Sequence, residues 1–176
     1  METNNTHLID RCCRKDSKAQ MELYGRYAKR LYMTCFRIIG STVDAEEAMQ
    51  DAFLKIFMRI DQYDRTKNFE VWMQRIAVNT AIDYVRKQTP LTEELFENKI
   101  ELEEETVEDE EDLSLSVEKI KNGIQQLAPG YRLILSLYLF EGYDMEEIAQ
   151  ILKVRPSTVR SQYMRGKNKL VELMKE

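Results

Sequence analysis

Between Lys153 and Lys169 the chain carries six basic side chains (Lys153, Arg155, Arg160, Arg165, Lys167 and Lys169) and no acidic one, although its formal net charge is −5. Cations massed in this way suit a polyanion, through ion pairs with phosphates and forked hydrogen bonds to base edges. A second group has a different character. The run Tyr63-Asp64-Arg65-Thr66-Lys67-Asn68-Phe69 mixes rings with cations, and Trp72, Arg75, Asn79, Asp83 and Arg86 follow at helical spacing. Rings stack on unpaired bases, guanidinium groups stack and hold phosphates, and amides or carboxylates hydrogen-bond base edges. The plainer readings are a solvated charged face and a set of core aromatics, and the residue types alone leave both open.

Catalysis has little to stand on. The only histidine, His7, lies near the start of the chain. There is no phosphate-cradling glycine loop and no nucleophile–base constellation, so the chain is not read as an enzyme and no catalytic residue is assigned. Cys12, Cys13 and Cys35 lack paired spacing. They are expected to be free thiols in a reducing cytosol, with no metal and no cofactor.

The elements that must position the basic residues are legible around them. Asp144 is a plausible helix N-cap, and Glu147, three residues on, completes a capping box. Ile148, Ala149, Ile151 and Leu152 give the first helix an apolar face. Pro156 fits the first position of a second helix, where its missing N–H costs nothing. In that helix Val159, Tyr163 and Leu170 are expected inward, and Arg160, Ser161, Met164 and Arg165 outward. Small Ala149 lets the two helices approach. An ordinary amphipathic pair is the bland alternative, but cap, turn length, small residue and one-sided charge together favour a helix-turn-helix.

The 176 residues, 43% apolar and 32% charged with six glycines and three prolines, point to an all-α chain of one or two small domains. Charge divides it into three. Residues 1–90 carry a net +3, residues 91–116 a net −11, and residues 117–176 a net +3. Two helical blocks thus flank an acidic stretch, which is expected to be an extended or transiently helical flexible linker. It serves either as a solubilising spacer or as a strand that mimics nucleic acid or threads a cationic channel. No run of eighteen apolar residues occurs and the N-terminus lacks a secretory core, so a cytoplasmic protein without membrane insertion is expected.

The first block reads as four helices, over about 6–15, 17–39, 42–61 and 68–88. On a wheel of the third, Ala45, Met49, Ala52, Phe53, Ile56 and Ile60 form the core face. Leu54 and Met58 lie almost opposite, with Glu47 and Asp51 beside them. Exposed apolar residues are ordinary, yet two of them a turn apart and ringed by carboxylates equally fit a docking surface.

Three stretches occur together in order: DAEEAMQDAFLKIF (44–57), FEVWMQRIAVNTAIDYVRK (69–87) and LAPGYRLILSLYLFEGYDMEEIAQILKVRPSTVRSQYMRGKNKL (127–170). Together they resemble bacterial RNA polymerase sigma factors of the extracytoplasmic-function (ECF) group. The resemblance implies a region 2 helical bundle over 10–88, a linker over 89–116 and a region 4 helix-turn-helix over 117–174. It implies a factor that binds core RNA polymerase, at its clamp and flap regions, and directs promoter-specific initiation. Glu47, Asp51, Leu54 and Met58 would meet the clamp. Arg65, Lys67, Asn68 and Phe69 would form the pocket for a flipped base of the melted −10 strand. Trp72, Arg75, Asn79 and Arg86 would line that strand's path. Arg160, Ser161, Met164 and Arg165 would face the major groove of the −35 element, while Arg155, Ser157, Thr158 and Lys167 hold phosphates. Partners implied are core polymerase, promoter DNA in duplex and single-stranded form, and an anti-sigma factor.

Two positions depart from the family pattern. Arg155 stands where a small cap residue often precedes the proline, and Lys153 stands where the turn commonly has glycine, so this lysine is expected to adopt an unfavourable backbone angle. The alternative function is a stand-alone helix-turn-helix regulator acting as a dimer, for which the chain offers no heptad seam.

Overall fold

A computed structural model describes residues 2–88 and 117–175; the expected linker over 89–116 lies outside the described residues. Every described element is a helix, as expected of an all-α chain. The chain divides after Gln88 into two units.

The first unit holds α1 (Glu2–Cys13), α2 (Ser17–Ile39), α3 (Thr42–Arg59), a 3₁₀ turn (Ile60–Gln62) and α4 (Phe69–Gln88). Helix α1 ends two residues earlier than the sequence implies. Lys15 takes φ 61°, and Asp16 caps α2 by accepting from the N–H groups of Lys18 and Ala19 at 2.9 and 3.2 Å. At the far end of α2, Gly40 sits at φ 82° and its N–H reaches Phe36 O at 2.8 Å. This left-handed turn suits glycine and starts α3 at once, with Ser41 Oγ accepting from Asp44 N at 3.3 Å. The third helix also stops early, its last residues tightening into the 3₁₀ turn.

Helices α2, α3 and α4 pack on one another, and α1 covers α2 and the 3₁₀ turn. Leu23, Leu31, Ile38, Ile56, Met73 and Ile82 are almost wholly buried between them, each contributing about 1.5–3 kcal/mol by leaving water. The whole expected core face of α3 is buried, and Ala48 joins it. Buried Thr80 is satisfied on both sides: its hydroxyl donates to Ile76 O at 2.8 Å and accepts from Lys55 Nζ at 3.1 Å.

The second unit holds α5 (Val117–Gln126), α6 (Pro129–Leu139), α7 (Met145–Leu152) and α8 (Pro156–Lys175). Ile124, Leu127, Leu135 and Leu170 form a core cluster, covered by Ile120, Tyr131, Phe140, Tyr163, Leu173 and Met174. Close approach needs two glycines. A Cβ on Gly123 would meet Leu170 Cδ1 at 2.6 Å, and one on Gly166 would meet Tyr131 Cβ at 3.2 Å. Arg132 Nη1 donates to Gln125 O and Leu127 O at 3.1 and 3.2 Å, covering carbonyls that the end of α5 leaves open.

Candidate nucleic-acid interface

The turn between α7 and α8 forms from local chemistry. Asp144 Oδ1 accepts from Glu147 N at 2.7 Å, and Glu147 Oε2 accepts from Asp144 N at 2.9 Å, which completes the expected capping box. Helix α7 then closes with two reversed bonds, Val154 N to Ala149 O at 3.0 Å and Lys153 N to Gln150 O at 3.3 Å. Those bonds demand a left-handed residue between the helices, and Lys153 supplies it at φ 59°, ψ 42°. Pro156 opens α8 as expected.

Helix α8 buries Val159, Gln162, Gly166 and Leu170. Tyr163 is partly buried, its ring edge-on to Tyr138 at 4.8 Å, and burial raises its hydroxyl pKa above the usual range. On the other side Arg160 and Met164 are exposed, while Ser161 and Arg165 are partly buried. Arg155, Ser157 and Lys167 are exposed and Thr158 is partly buried. The Ser161 hydroxyl donates back to Ser157 O at 3.0 Å. Arg160 Nη2 donates to Glu146 Oε1 on α7, a partner that periodicity does not foresee because it sits on another helix. Buried Gln162 and Gly166 also escape a pattern drawn from apolar residues.

In the first unit Tyr63, Phe69 and Trp72 form one ring cluster, with centroids 5.0, 5.4 and 5.6 Å apart. Phe69 is 5% exposed, so it lies beneath the cluster, while Tyr63 and Trp72 are partly exposed. The loop before them is braced internally. Asp64 Oδ1 accepts from Thr66 N and Oγ1 at 3.0 and 2.7 Å, which pulls the carboxyl below the usual carboxylate range. The Tyr63 hydroxyl donates to Lys67 O, and burial raises its pKa. Asn68 Oδ1 accepts from Glu70 N and Val71 N at 2.8 and 3.1 Å, so this residue caps α4. Arg65 is exposed and pairs with Asp10 of α1. Their hydrogen bond holds the Asp10 carboxyl low.

From that cluster, Arg75, Asn79 and Asp83 run exposed along α4. Arg86 Nη1 lies 3.7 Å from Asp83 Oδ1. On α3, Leu54 and Met58 are 60% and 76% exposed. Glu47 is exposed, whereas Asp51 accepts from the Tyr84 hydroxyl at 2.9 Å. Val43, 67% exposed, shares this side by helical spacing and is absent from the expected docking set.

Cys12, Cys13 and Cys35 are free, and burial pushes the Cys12 thiol up to about 11. Among the described residues no acidic, histidine or cysteine group could hold a metal ion, and no helix is long and apolar enough to cross a membrane.

A basic helix-turn-helix in one unit and a ring-and-cation helix in the other are arrangements suited to nucleic acid. Residues 23–90 match the model of Sigma-70 region 2, and residues 118–170 match that of Sigma-70, region 4. The chain is 30% identical over 172 residues to the ECF RNA polymerase sigma factor SigW of Bacillus subtilis (strain 168), covering 92% of this chain and 91% of the relative. It is likewise 30% identical over 172 residues to the ECF RNA polymerase sigma-E factor of Escherichia coli (strain K12), covering 91% and 88%. The fold resembles that of the sigma factor RpoE, solved in complex with the anti-sigma factor NepR from Bartonella quintana. There the TM-score is 0.54 at 21% identity, over 88% of this chain and 96% of that one. The chain belongs to the ECF group of sigma-70 family RNA polymerase sigma factors.

Proposed function

We propose that this promoter-directing sigma factor reads a −35 element with α8 and captures the melted −10 strand with α4 and the loop before it. Region 2 spans residues 10–88, the linker 89–116 and region 4 117–174. The observation that carries this reading is the division of α8. Val159, Gln162, Gly166 and Leu170 are locked into the unit, while Arg160 and Met164 stand in solvent with Ser161 and Arg165 beside them.

Arg160, Ser161, Met164 and Arg165 face base edges in the major groove, and Arg155, Ser157, Thr158 and Lys167 hold phosphates that set the register. A bidentate arginine on guanine discriminates by about 1–3 kcal/mol. In the first unit Tyr63 and Trp72 offer rings, over a floor made by Phe69, to a base that has left the stack. Arg65, Lys67 and Asn68 rim that place, and Arg75, Asn79 and Arg86 follow the strand. Extruding a base costs a few kcal/mol, and stacking at about 1–3 kcal/mol per base offsets it, so affinity for the open strand favours melting.

Leu54 and Met58, with Glu47 and Asp51, dock on the clamp of core polymerase, and the second unit engages its flap. Holding two weak DNA contacts on one enzyme raises the effective concentration of each. The chain works in the cytoplasm as a binding factor and not as an enzyme. An anti-sigma factor is a further partner, as NepR is for RpoE.

Run-off transcription with purified core polymerase and a pool of promoter fragments tests the reading. Initiation at a defined subset is expected. Arg160→Ala should alter which fragments are used while leaving polymerase binding intact, and Trp72→Ala should suppress open-complex formation on duplex more than on pre-melted templates. No initiation on any template would refute it.

A further inference from the structure

We propose that Glu146 is a positioning residue for base readout: it holds the Arg160 guanidinium in the pose that meets a guanine edge, and so sets discrimination at that base pair. This rests on the reading above that Arg160 faces the major groove. Glu146 lies in the first turn of α7, and its Oε1 accepts from Arg160 Nη2, fourteen residues further on in the next helix. The pair does little for the fold, because the two side chains are 59% and 55% exposed and exposed ion pairs add little stability. The neighbouring Glu147 is instead committed to the capping box, so the two glutamates divide their tasks.

Arginine has five N–H donors, and a bidentate contact with guanine O6 and N7 uses two. A carboxylate holding the remaining side of the fork orders a long side chain before DNA arrives, and less freedom is then lost on binding. The same carboxylate repels backbone phosphates whatever the sequence. Glu146 therefore weakens contact with every duplex and sharpens the preference for one, an opposed pair of effects that a residue serving only the fold does not produce.

The test uses the full chain assembled with core RNA polymerase and duplex DNA randomised over the upstream promoter element. Arg160→Ala first identifies the base pair whose preference collapses. At that pair Glu146→Gln, uncharged and close in shape, is expected to lower the preference about three- to tenfold, as part of what a bidentate contact supplies. Preferences elsewhere stay unchanged, and binding to non-cognate duplex stays equal or becomes stronger. In the Arg160→Ala background, Glu146→Gln changes the preference no further. An unaltered preference in Glu146→Gln overturns the proposal and spares the Arg160 assignment. A uniform loss at every position overturns it as well. If Arg160→Ala changes no position, the assignment of Arg160 fails and the role of Glu146 with it.

Discussion

The Tyr84 hydroxyl on α4 donates to Asp51 Oδ2 on α3 at 2.9 Å. Above and below it, Gln88 Nε2 reaches Asp44 Oδ2 at 2.9 Å and Lys55 Nζ reaches Thr80 Oγ1 at 3.1 Å. The helix assigned to polymerase and the helix assigned to the open strand are thus laced along one polar seam. Burial, then the Asp51 hydrogen bond and charge, push Tyr84 up to about 12, against about 10 in an unfolded chain.

Tyr84→Phe should therefore cost about 0.5–1.5 kcal/mol at pH 8. The folded value is the higher one, so the tyrosine's contribution is complete below about pH 10 and is lost as pH climbs from about 10 to 12. Denaturation of both proteins at pH 8 and pH 11 checks this: the gap between them should narrow at the higher pH. Tyrosinate absorbance should also lose its latest-titrating component in the variant.

Leu54→Asp should weaken capture of core polymerase by tenfold or more, about 1.4 kcal/mol, without shifting the thermal midpoint. The side chain is 60% exposed, so the fold has little to lose. Wild-type affinity in a quantitative pull-down would remove Leu54 from the docking face.

Lys153→Gly should stabilise the second unit. Lys153 is held at φ 59° by the reversed bonds that close α7, a conformation costing a side-chain-bearing residue about 1–2 kcal/mol. Glycine avoids that penalty but loses more freedom on folding, which leaves a gain of about 0.5–1 kcal/mol. A rise of a few degrees in the melting midpoint would show it, with the same helical content by circular dichroism.

Gly166→Leu should destabilise the same unit by about 1–3 kcal/mol through overpacking. The first added carbon already comes within 3.2 Å of Tyr131 Cβ, and that atom is anchored to its backbone and cannot swing away. Urea unfolding followed by circular dichroism measures the loss.

What the sequence reveals here is mainly what neighbouring residues decide. The Asp144 capping box and Pro156 at the head of α8 involve residues within about one helical turn, so spacing is enough to find them, whereas the strained Lys153 is found only by its departure from the family's usual glycine. The core face of α3 is equally readable, because Ala45, Met49, Ala52, Phe53, Ile56 and Ile60 repeat with the helix. The pairs Asp10–Arg65 and Glu146–Arg160 are different: their members sit 55 and 14 residues apart, and only the packing of a loop against α1 and of α7 against α8 brings them together. Phe69 illustrates the same gap. Its ring type advertises stacking, but its place at the head of α4 puts it under Tyr63 and Trp72. Asn68, beside it, displays an amide whose oxygen the helix end has already taken. Arg132 reads as one more surface cation until the α5 terminus is seen beside it.

The carboxylates seated against Arg65, Arg86 and Arg160 carry a consequence for solutions of rising ionic strength. A guanidinium already balanced by an anion displaces less of the cation atmosphere condensed on DNA than a bare one does, because the accompanying carboxylate keeps positive ions nearby. Where these arginines meet DNA as proposed, affinity is expected to fall less steeply with added potassium chloride than the number of arginines and lysines implies.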